Sequence, residues 1–407
     1  MAPRTQRLDI VLFGATSFVG QILCRYLVER HGVDGKVDWA IAGRDADKLD
    51  RVARESGATG VEQIVCDAQD ADAIAAMVAS TRLVISTVGP YALYGSKLVA
   101  AVAEAGIDYV DLTGEPQWMQ KMIDRYQPRA VETGARIVHA CGFDSVPSDM
   151  GVWFLQQESL RRFAAPCTSV RMGVKAAKGG ASGGTIASMM NIMEEMSEDP
   201  SLRSVLANPY ALAPQGDREG VDQPNVALPD YDLGLDSWTA PFVMAATNTR
   251  VVFRTHALLG HPWGDDFTYG ESMLMGPGFG GRAKAFAMSG AMGAGMGLVA
   301  LGPTRKLLAK VLPEAGEGPS EEKQEAGFYD LRFHGTTDAG DEIDVKVTGD
   351  RDPGYGSTSK ILAAAATTLL ARDASELGGG FWTPATALGD PFVEALTEHA
   401  GLTFEVI

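Results

Sequence analysis

The sequence predicts an α/β protein with an amino-terminal, doubly wound parallel sheet and a second, α+β domain with a mixed or antiparallel sheet. Over the first 140 residues, six short apolar runs alternate with helical patterns, an order typical of parallel sheets. Beyond residue 150 the pattern changes to segments of period two, which indicate strands with one exposed face. The length of 407 residues exceeds one ordinary core, so we expect two domains.

The amino-terminal strands are nearly all apolar because right-handed crossovers place helices on both faces of a parallel sheet. The predicted strands are residues 9–13, 37–42, 61–66, 82–87, 107–112 and 135–140. The first predicted helix has an apolar stripe at helical spacing, made by Val19, Ile22, Leu23, Tyr26 and Leu27. Two further helices are predicted over residues 70–79 and 96–105, and Gly106 suits the end of the second.

The second part of the chain is predicted to form an α+β domain with a mixed sheet. Strands are predicted over residues 168–176 and 267–275, a hairpin over 328–335 and 341–349, and helices near 357–371 and 383–397. Residues 207–237 are rich in Pro, Asp and Gly and predict a long loop, either a lid or a disordered segment. We therefore predict a nucleotide domain at 1–150, a substrate domain at 151–355 and carboxy-terminal helices at 356–407.

Composition excludes several classes of protein. The net charge of −17 disfavours a nucleic-acid binder, which needs clustered positive charge. The four cysteines (Cys24, Cys66, Cys141 and Cys167) are dispersed, which predicts buried thiols and neither a disulfide framework nor a metal site. The chain starts without a signal-peptide pattern, so we expect a cytoplasmic protein.

Residues 276–301 form an apolar segment rich in Gly, Ala and Met, with Arg282 and Lys284 as its only charges. The segment is short for a membrane span, and its glycines lower helix propensity. One interpretation is a buried or substrate-lining helix. The other is a surface that rests on a membrane or accepts a lipid chain.

The stretch FGATSFVGQ nearly matches a dinucleotide-binding loop between the first strand and the first helix. Gly14 allows the tight turn, and Gly20 permits close packing of helix against strand. Ser17 stands where a middle glycine lets the backbone approach the pyrophosphate, and both Ser17 and Thr16 have hydroxyls that can donate to a phosphate oxygen. An α/β protein with an empty first turn is the alternative. The predicted contact residues of this loop are Gly14, Ala15, Thr16, Ser17, Phe18, Val19 and Gly20.

The end of the second strand predicts NADPH rather than NADH. Gly43 lies where an NAD site carries an acidic residue for the ribose, and Arg44 follows it. A guanidinium matches the geometry of a phosphate group. Asp45 is the alternative ribose ligand, but it also suits the N-cap of the next helix. Two other strand ends complete the predicted cofactor site with Asp67, Thr87, Val88, Gly89 and Pro90.

Several segments together resemble the saccharopine dehydrogenase-like oxidoreductases, and among these the actinobacterial trans-acting enoyl reductases. They are GATSFVG, AGRD, STVGPYALYG, DYVDLTGEP, GARIVHACGFDSVPSD, GGTIASM, TNTRVV, DRDPGY and TPATALGD, spread from residue 14 to residue 390. The resemblance implies a Rossmann domain, a mixed second sheet and carboxy-terminal helices that pack beside the first domain. It also implies a reductase of lipid intermediates carried by polyketide synthases that lack their own enoyl reduction.

Enoyl reduction needs a hydride from the cofactor, a group that polarises the thioester carbonyl, and a proton donor. Tyr91 and Tyr94 follow the fourth strand and are our preferred proton donors. His139, Cys141, Asp144 and Ser145 follow the sixth strand and are further candidates. Each also has a structural interpretation: Tyr91 as a cover for the cofactor ring, His139 as a core residue, and Asp144 or Ser145 as helix caps.

Three functional hypotheses remain at this stage. The first is an NADPH-dependent enoyl reductase acting on a lipid or polyketide acyl chain, either free or carrier-bound, with residues 276–301 facing the chain or a membrane. The second is an NADP-binding protein of lipid surfaces without robust catalysis. The third is a reductase of ketone or imine substrates.

Overall fold

The computed structural model describes residues 7–179, 183–200, 202–224, 228–300 and 318–407. The first half alternates strands and helices in this order: β1 (Leu8–Phe13), α1 (Phe18–His31), β2 (Trp39–Gly43), α2 (Ala46–Glu55), β3 (Glu62–Val65), α3 (Ala71–Ala79), β4 (Thr81–Ser86), α4 (Tyr91–Tyr94), α5 (Ser96–Ala105), β5 (Asp108–Asp111), α6 (Pro116–Thr133) and β6 (Arg136–Val138). All six predicted strands are confirmed, each to within a few residues.

The second half is mixed. Its elements are α7 (Val146–Phe163), β7 (Cys167–Lys178), α8 (Gly183–Glu198), α9 (Leu202–Ala207), β8 (Asp230–Asp232), β9 (Ser237–Pro241), α10 (Ala245–Leu258), β10 (Thr268–Gly276), α11 (Gly278–Ala300), α12 (Glu321–Glu325), β11 (Phe328–Thr337), β12 (Glu342–Gly349), α13 (Thr358–Ala371), α14 (Ala374–Leu377), β13 (Gly380–Trp382), α15 (Pro384–His399) and β14 (Leu402–Val406).

The strands form two sheets. The first has the order β13-β6-β5-β4-β1-β2-β3 and is parallel throughout. The second has the order β14-β12-β11-β7-β10-β9-β8 and is mixed, because β7 and β10 run parallel and the other pairs antiparallel. The predicted fold class is therefore confirmed.

The first sheet reverses its strand order between β1 and β4, so the loops after these two strands open a crevice at its carboxyl edge. The strands beneath are buried on both faces, with Val11, Leu12, Val84 and Ile85 inaccessible to solvent. The cofactor loops therefore lie on a rigid base.

The carboxy-terminal segment contributes to both sheets. β13 pairs with β6 at the edge of the first sheet, and β14 pairs with β12 at the edge of the second. Between them, α13 packs against α1, and α15 packs against α7 and α13. The sequence did not predict β8, β9, β13 or β14, which are three to five residues long. The domain boundaries near residues 150 and 355 stay predictions.

Candidate active site

Gly14 and Gly20, the two glycines of the first loop, lie where a side chain has no room. Gly14 has φ +94°, and a Cβ there would lie 2.6 Å from the Thr87 hydroxyl oxygen. A Cβ on Gly20 would lie 2.2 Å from the Gly14 carbonyl oxygen. The loop thus needs glycine at its turn and at the first turn of α1, as the fingerprint predicts.

Ser17 serves as the N-cap of α1. Its hydroxyl oxygen accepts a hydrogen bond from the Gly20 amide at 3.0 Å and lies 2.9 Å from the Thr87 hydroxyl. Thr87 donates its own proton to the Gly14 carbonyl, so the Ser17 proton points to Thr87. At φ −70°, position 17 does not require glycine. This bonding disfavours the predicted donation from Ser17 to a phosphate oxygen.

The amino terminus of α1 still offers a phosphate site. Within the described part of the chain, the amides of Phe18 and Val19 make no hydrogen bond, whereas Ser17 caps the Gly20 amide. Free amides at a helix N-terminus attract a negatively charged group. The backbone from Thr16 to Val19 would therefore hold the pyrophosphate.

The end of β2 lies beside this loop. A Cβ on Gly43 would lie 3.6 Å from the Thr16 hydroxyl oxygen, and the next residue, Arg44, has an exposed side chain. Asp45 accepts a hydrogen bond from the Lys48 amide at 3.1 Å, which confirms it as the N-cap of α2. Arg44 is thus placed to meet a 2′-phosphate.

Asp67 follows β3 on the same edge of the sheet. Its carboxylate is exposed and accepts a hydrogen bond from the Gln69 amide at 2.8 Å, which shapes a local turn. The Cys66 amide binds the Gly43 carbonyl at 2.9 Å, so this turn lies next to the end of β2. The position fits the predicted adenine end of the cofactor.

The segment Thr87–Pro90 continues β4 into the crevice. The Thr87 amide binds the Phe13 carbonyl at 2.9 Å, which fixes the segment to the loop after β1. Val88 lies 2.8 Å from the position of a Cβ on Gly14, so the two strand ends are in close contact. Gly89 and Pro90 then lead into α4.

Tyr91 is buried and structural. Its hydroxyl donates to the Ser86 carbonyl at 2.9 Å, and its ring packs on Trp118 at 5.4 Å. Burial, and after it the nearby Asp111 carboxylate, raises the pKa of Tyr91 well above its usual range. These contacts argue against our prediction of Tyr91 as a proton donor. Tyr94, at the end of α4, is 37% exposed and stays a candidate.

Glu115 is a buried carboxylate that the sequence analysis missed. Its two oxygens accept from the Tyr91 and Ala92 amides, each at 2.8 Å, and one of them also accepts from the Ser188 hydroxyl at 2.9 Å. Burial raises its pKa despite these donors. Glu115 therefore caps α4 and links it to α8, a role that its position between Gly114 and Pro116 did not reveal.

His139 forms a buried hydrogen bond with Asp111 at the carboxyl edge of the first sheet. The His139 Nδ1 atom lies 2.7 Å from the Asp111 carboxylate, which also accepts from the Ala140 amide at 3.0 Å. The rings of Trp118, Tyr109 and Phe381 surround the imidazole at 5.1 to 5.9 Å. The histidine is a buried core residue, as one of our two interpretations held. Cys141 is a buried free thiol, as are the other three cysteines.

The interpretation of Asp144 or Ser145 as a helix cap holds for the position of Ser145 only, because neither residue caps α7 with its side chain. Ser145 occupies the N-cap position, but its hydroxyl donates instead to the Asn248 side chain at 3.1 Å. The Asp144 carboxylate makes no hydrogen bond with any described residue, and one of its oxygens lies 3.9 Å from the position of a Cβ on Gly114. Burial raises the pKa of Asp144 to about 6.

A buried polar network joins the two sheets behind this edge. Asn248 of α10 donates to Glu271 of β10 at 2.9 Å and to Ser148 of α7 at 3.2 Å. Tyr269 donates to the other Glu271 oxygen at 2.8 Å. Burial raises the pKa of Glu271 to about 7. The network fixes α10 next to the loop after β5, where Thr247 donates to the Gly114 carbonyl at 3.1 Å.

The apolar segment 276–301 contains the helix α11; residue 301 lies outside the described residues. Most of its described side chains are exposed, including Phe279 at 86% and Phe286 at 53%. These residues are therefore not a buried helix, whereas a substrate-lining helix and a lipid-facing surface both stay predictions. Arg282 lies over the ring of Trp238 at 5.3 Å. In the described part of the chain, no helix has the length and apolarity needed to cross a bilayer.

The loops after β1, β2 and β4 thus have the geometry of a dinucleotide site, with helix amides that bind no described residue and an adjacent arginine, which is typical of the NADP(H)-dependent oxidoreductases of the Rossmann class. A family model, the saccharopine dehydrogenase NADP binding domain, matches residues 10–138. This match covers every residue predicted to bind the cofactor, and NADPH is the cofactor that it supports.

Relatives extend the match to the whole chain. A Mycobacterium tuberculosis protein named Rv2449c is 40% identical over 410 residues, or 97% of either chain. Proteins named trans-acting enoyl reductase in Mycobacterium tuberculosis and Mycobacterium ulcerans are 35% and 34% identical over at least 97% of either chain. The chain belongs to this family of saccharopine dehydrogenase-like oxidoreductases.

A solved structure shows the same fold at low identity. Saccharopine dehydrogenase (L-Glu forming) from Saccharomyces cerevisiae superposes with a TM-score of 0.53 at 12% identity and covers 98% of this chain and 100% of its own. The likeness therefore concerns the arrangement of the two sheets.

Proposed function

We propose that the protein is an NADPH-dependent reductase of the carbon–carbon double bond in 2-enoyl thioesters, acting on a lipid or polyketide chain that another protein carries. The observation that supports this most is the name shared by full-length relatives at 34% and 35% identity, trans-acting enoyl reductase. The predicted cofactor site also supports the proposal, because the reaction requires a hydride donor.

Each part of the site has a task in this reaction. The amides at the start of α1 would hold the pyrophosphate, and Arg44 would hold the 2′-phosphate. These contacts lie at β1 and β2, so a dinucleotide that crosses the crevice has its nicotinamide on the side of β4, β5 and β6. The bound cofactor supplies the hydride for the β-carbon of the substrate.

The acyl chain needs an apolar surface, and a carrier needs a docking surface outside the crevice. The net charge of −17 disfavours a carrier that is recognised by its negative charge. We propose that the pantetheine arm, rather than the carrier surface, is the main determinant of recognition. A substrate on a short pantetheine thioester should then be reduced.

The test is the oxidation of NADPH in the presence of 2-enoyl and 3-ketoacyl substrates as matched pantetheine thioesters, and of an imine formed from an aldehyde of the same chain length and an amine. We expect oxidation with the enoyl substrates alone. Oxidation with the ketoacyl or imine substrates alone would replace the proposed reaction with another reduction. No oxidation with any substrate, by a protein that binds NADPH, would contradict the proposal.

A further inference from the structure

Asp144, at the carboxyl edge of the first sheet, makes no hydrogen bond with any residue that the structure describes. Four buried carboxylates at or behind this edge are engaged: Asp111, Glu115, Asp149 and Glu271 each accept two or more hydrogen bonds. Asp144 accepts none from the described residues, and it does not cap the helix that begins two residues later. A carboxyl that is shielded from water and has no hydrogen-bond partner among the described residues is costly, which makes it a candidate for contact with a ligand.

The position of Asp144 suits contact with a substrate. Its carboxylate follows β6 and approaches Gly114, which follows β5, so it lies on the nicotinamide side of the crevice. The side chain of Met244, ahead of α10, is the same 3.9 Å from the position of a Cβ on Gly114. Asp144 is thus near the junction between the first sheet and the elements of the second, and it is only partly buried.

We propose that Asp144 is the general acid of the reductase and donates the proton that the α-carbon of the substrate receives. This inference rests on the proposed function. Hydride from NADPH adds to the β-carbon, and the electron pair of the double bond moves onto the α-carbon and the thioester oxygen as an enolate. The protonated Asp144 carboxyl then gives its proton to the α-carbon, leaving a saturated thioester, NADP⁺ and an Asp144 carboxylate that solvent protonates again.

The protonation state agrees with this role. Burial alone raises the pKa of Asp144 to about 6, which keeps a protonated fraction near neutral pH. The titratable groups on the surrounding elements are Tyr91 of α4, Glu115 ahead of α6, Asp149 of α7 and Glu271 of β10. None of them is cationic, and the charge of Asp144 raises the pKa of Tyr91 in turn. Burial is therefore what favours the acid form of the carboxyl.

The test compares the wild-type protein with Asp144→Asn, which keeps the size of the side chain and removes the acid. General acid catalysis contributes about 10²- to 10⁴-fold, so we expect kcat to fall by at least about 100-fold. The dissociation constant of NADPH, measured by fluorescence, should stay within about twofold, since the cofactor contacts remain. The fall of wild-type kcat/KM with rising pH, centred near the pKa of Asp144, should disappear in the variant.

A second readout separates acid catalysis from a structural effect. With NADPH in D₂O, the wild-type protein should place deuterium on one face of the α-carbon, and Asp144→Asn should give a mixture of faces in its residual product. Asp149→Asn is the matched control, because Asp149 is a buried acid on the adjacent helix with its oxygens bonded to Thr255 and the Ala385 amide. We expect this control to lower the melting temperature and to keep both the pH profile and the facial selectivity.

The outcomes distinguish this inference from the proposed function. Wild-type turnover of enoyl substrates together with unchanged kcat and selectivity in Asp144→Asn would overturn the role of Asp144 and leave the reductase intact. Absence of wild-type turnover would overturn both. A loss of kcat in Asp144→Asn accompanied by an equal loss of NADPH binding would also overturn the assignment, because it would show a disturbed fold.

Discussion

Single side chains explain how this chain tolerates a serine in its nucleotide loop. Ser17 has the backbone conformation of an N-cap, and its hydroxyl links the Gly20 amide to Thr87. The middle position therefore stiffens the junction of β1, α1 and β4. The positions that do require glycine, at 14 and 20, retain it. The sequence predicted those two requirements, but the bond between Ser17 and Thr87 joins residues 70 positions apart and could not be predicted from spacing.

Arg44 should determine the choice between the two nicotinamide cofactors. A charge-assisted bond to a phosphate contributes about 1.5 to 3 kcal/mol, so Arg44→Ala should weaken NADPH binding by about 10- to 100-fold. NADH lacks the 2′-phosphate, and its dissociation constant should change by less than about threefold. Fluorescence titration of both cofactors measures this difference. The matched control is Arg51→Ala, another exposed arginine on α2. Equal losses for NADPH and NADH in Arg44→Ala would contradict the assignment.

Glu271 should make stability depend on pH. Burial raises the pKa of this carboxyl from 4.5 to about 7, so its stabilising effect is complete below pH 4.5 and is lost as the pH rises through 7. The loss amounts to about 3 kcal/mol in the free energy of unfolding. Glu271→Gln should lack this part of the pH dependence. Chemical denaturation of both proteins at acidic and mildly alkaline pH measures the difference. Parallel pH curves would show that Glu271 stays ionised in the native protein.

At the level of the helices and strands, the local sequence pattern predicted those elements whose formation depends on their own residues. The buried strands β1, β4 and β5 were predicted from their short apolar runs between helical patterns, and the hairpin of β11 and β12 from its period of two. The short strands β8, β9, β13 and β14 were missed because three to five residues carry too little periodicity and their formation depends on a distant partner.

The prediction of the candidate site from the sequence was limited in the same way. The cofactor residues cluster at strand ends, which a topology rule predicts. The environment of the acids was not predictable, because the bonds of Glu115 to α4 and of Asp149 to Thr255 join segments distant in sequence. For α11 the sequence left a buried helix and an exposed surface open, because an apolar composition without a clear stripe is compatible with both.

The junction of the first loop with α1 should fail when Gly20 acquires a side chain. The Cβ of Gly20→Ala would meet the Gly14 carbonyl, and the loop would have to move at a cost of about 1 to 3 kcal/mol. We expect a lower melting temperature and an NADPH dissociation constant raised by at least about tenfold. Gly216→Ala is the control, because no heavy atom lies within 4 Å of its Cβ position. Retention of wild-type NADPH affinity by Gly20→Ala would contradict the described loop.

On the scale of the whole molecule, the last 28 residues connect the two sheets, because they contribute an edge strand to each. β13 completes the parallel sheet beside β6, α15 packs against α7, and β14 completes the mixed sheet beside β12. Removal of residues 380–407 would expose two strand edges and the apolar side of α7. The carboxy terminus is therefore part of the fold that positions the crevice.

A chain that ends at residue 379 should not unfold cooperatively. We expect loss of a single thermal transition in circular dichroism and loss of NADPH binding, although every predicted cofactor contact lies before residue 91. A chain that lacks Ile407 alone is the control, because this residue is 58% exposed and follows the last strand. Cooperative unfolding of the longer truncation would mean that the first sheet folds independently of its last strand.

The central claim is that hydride passes from NADPH to the β-carbon of an enoyl thioester. The most direct measurement uses NADPH deuterated at the transferring position of the nicotinamide, a 2-enoyl pantetheine thioester and mass spectrometry of the product. We expect a saturated thioester with one deuterium, located on the β-carbon. Deuterium on a carbonyl carbon, or an enoyl substrate recovered unchanged beside bound and unoxidised NADPH, would contradict it.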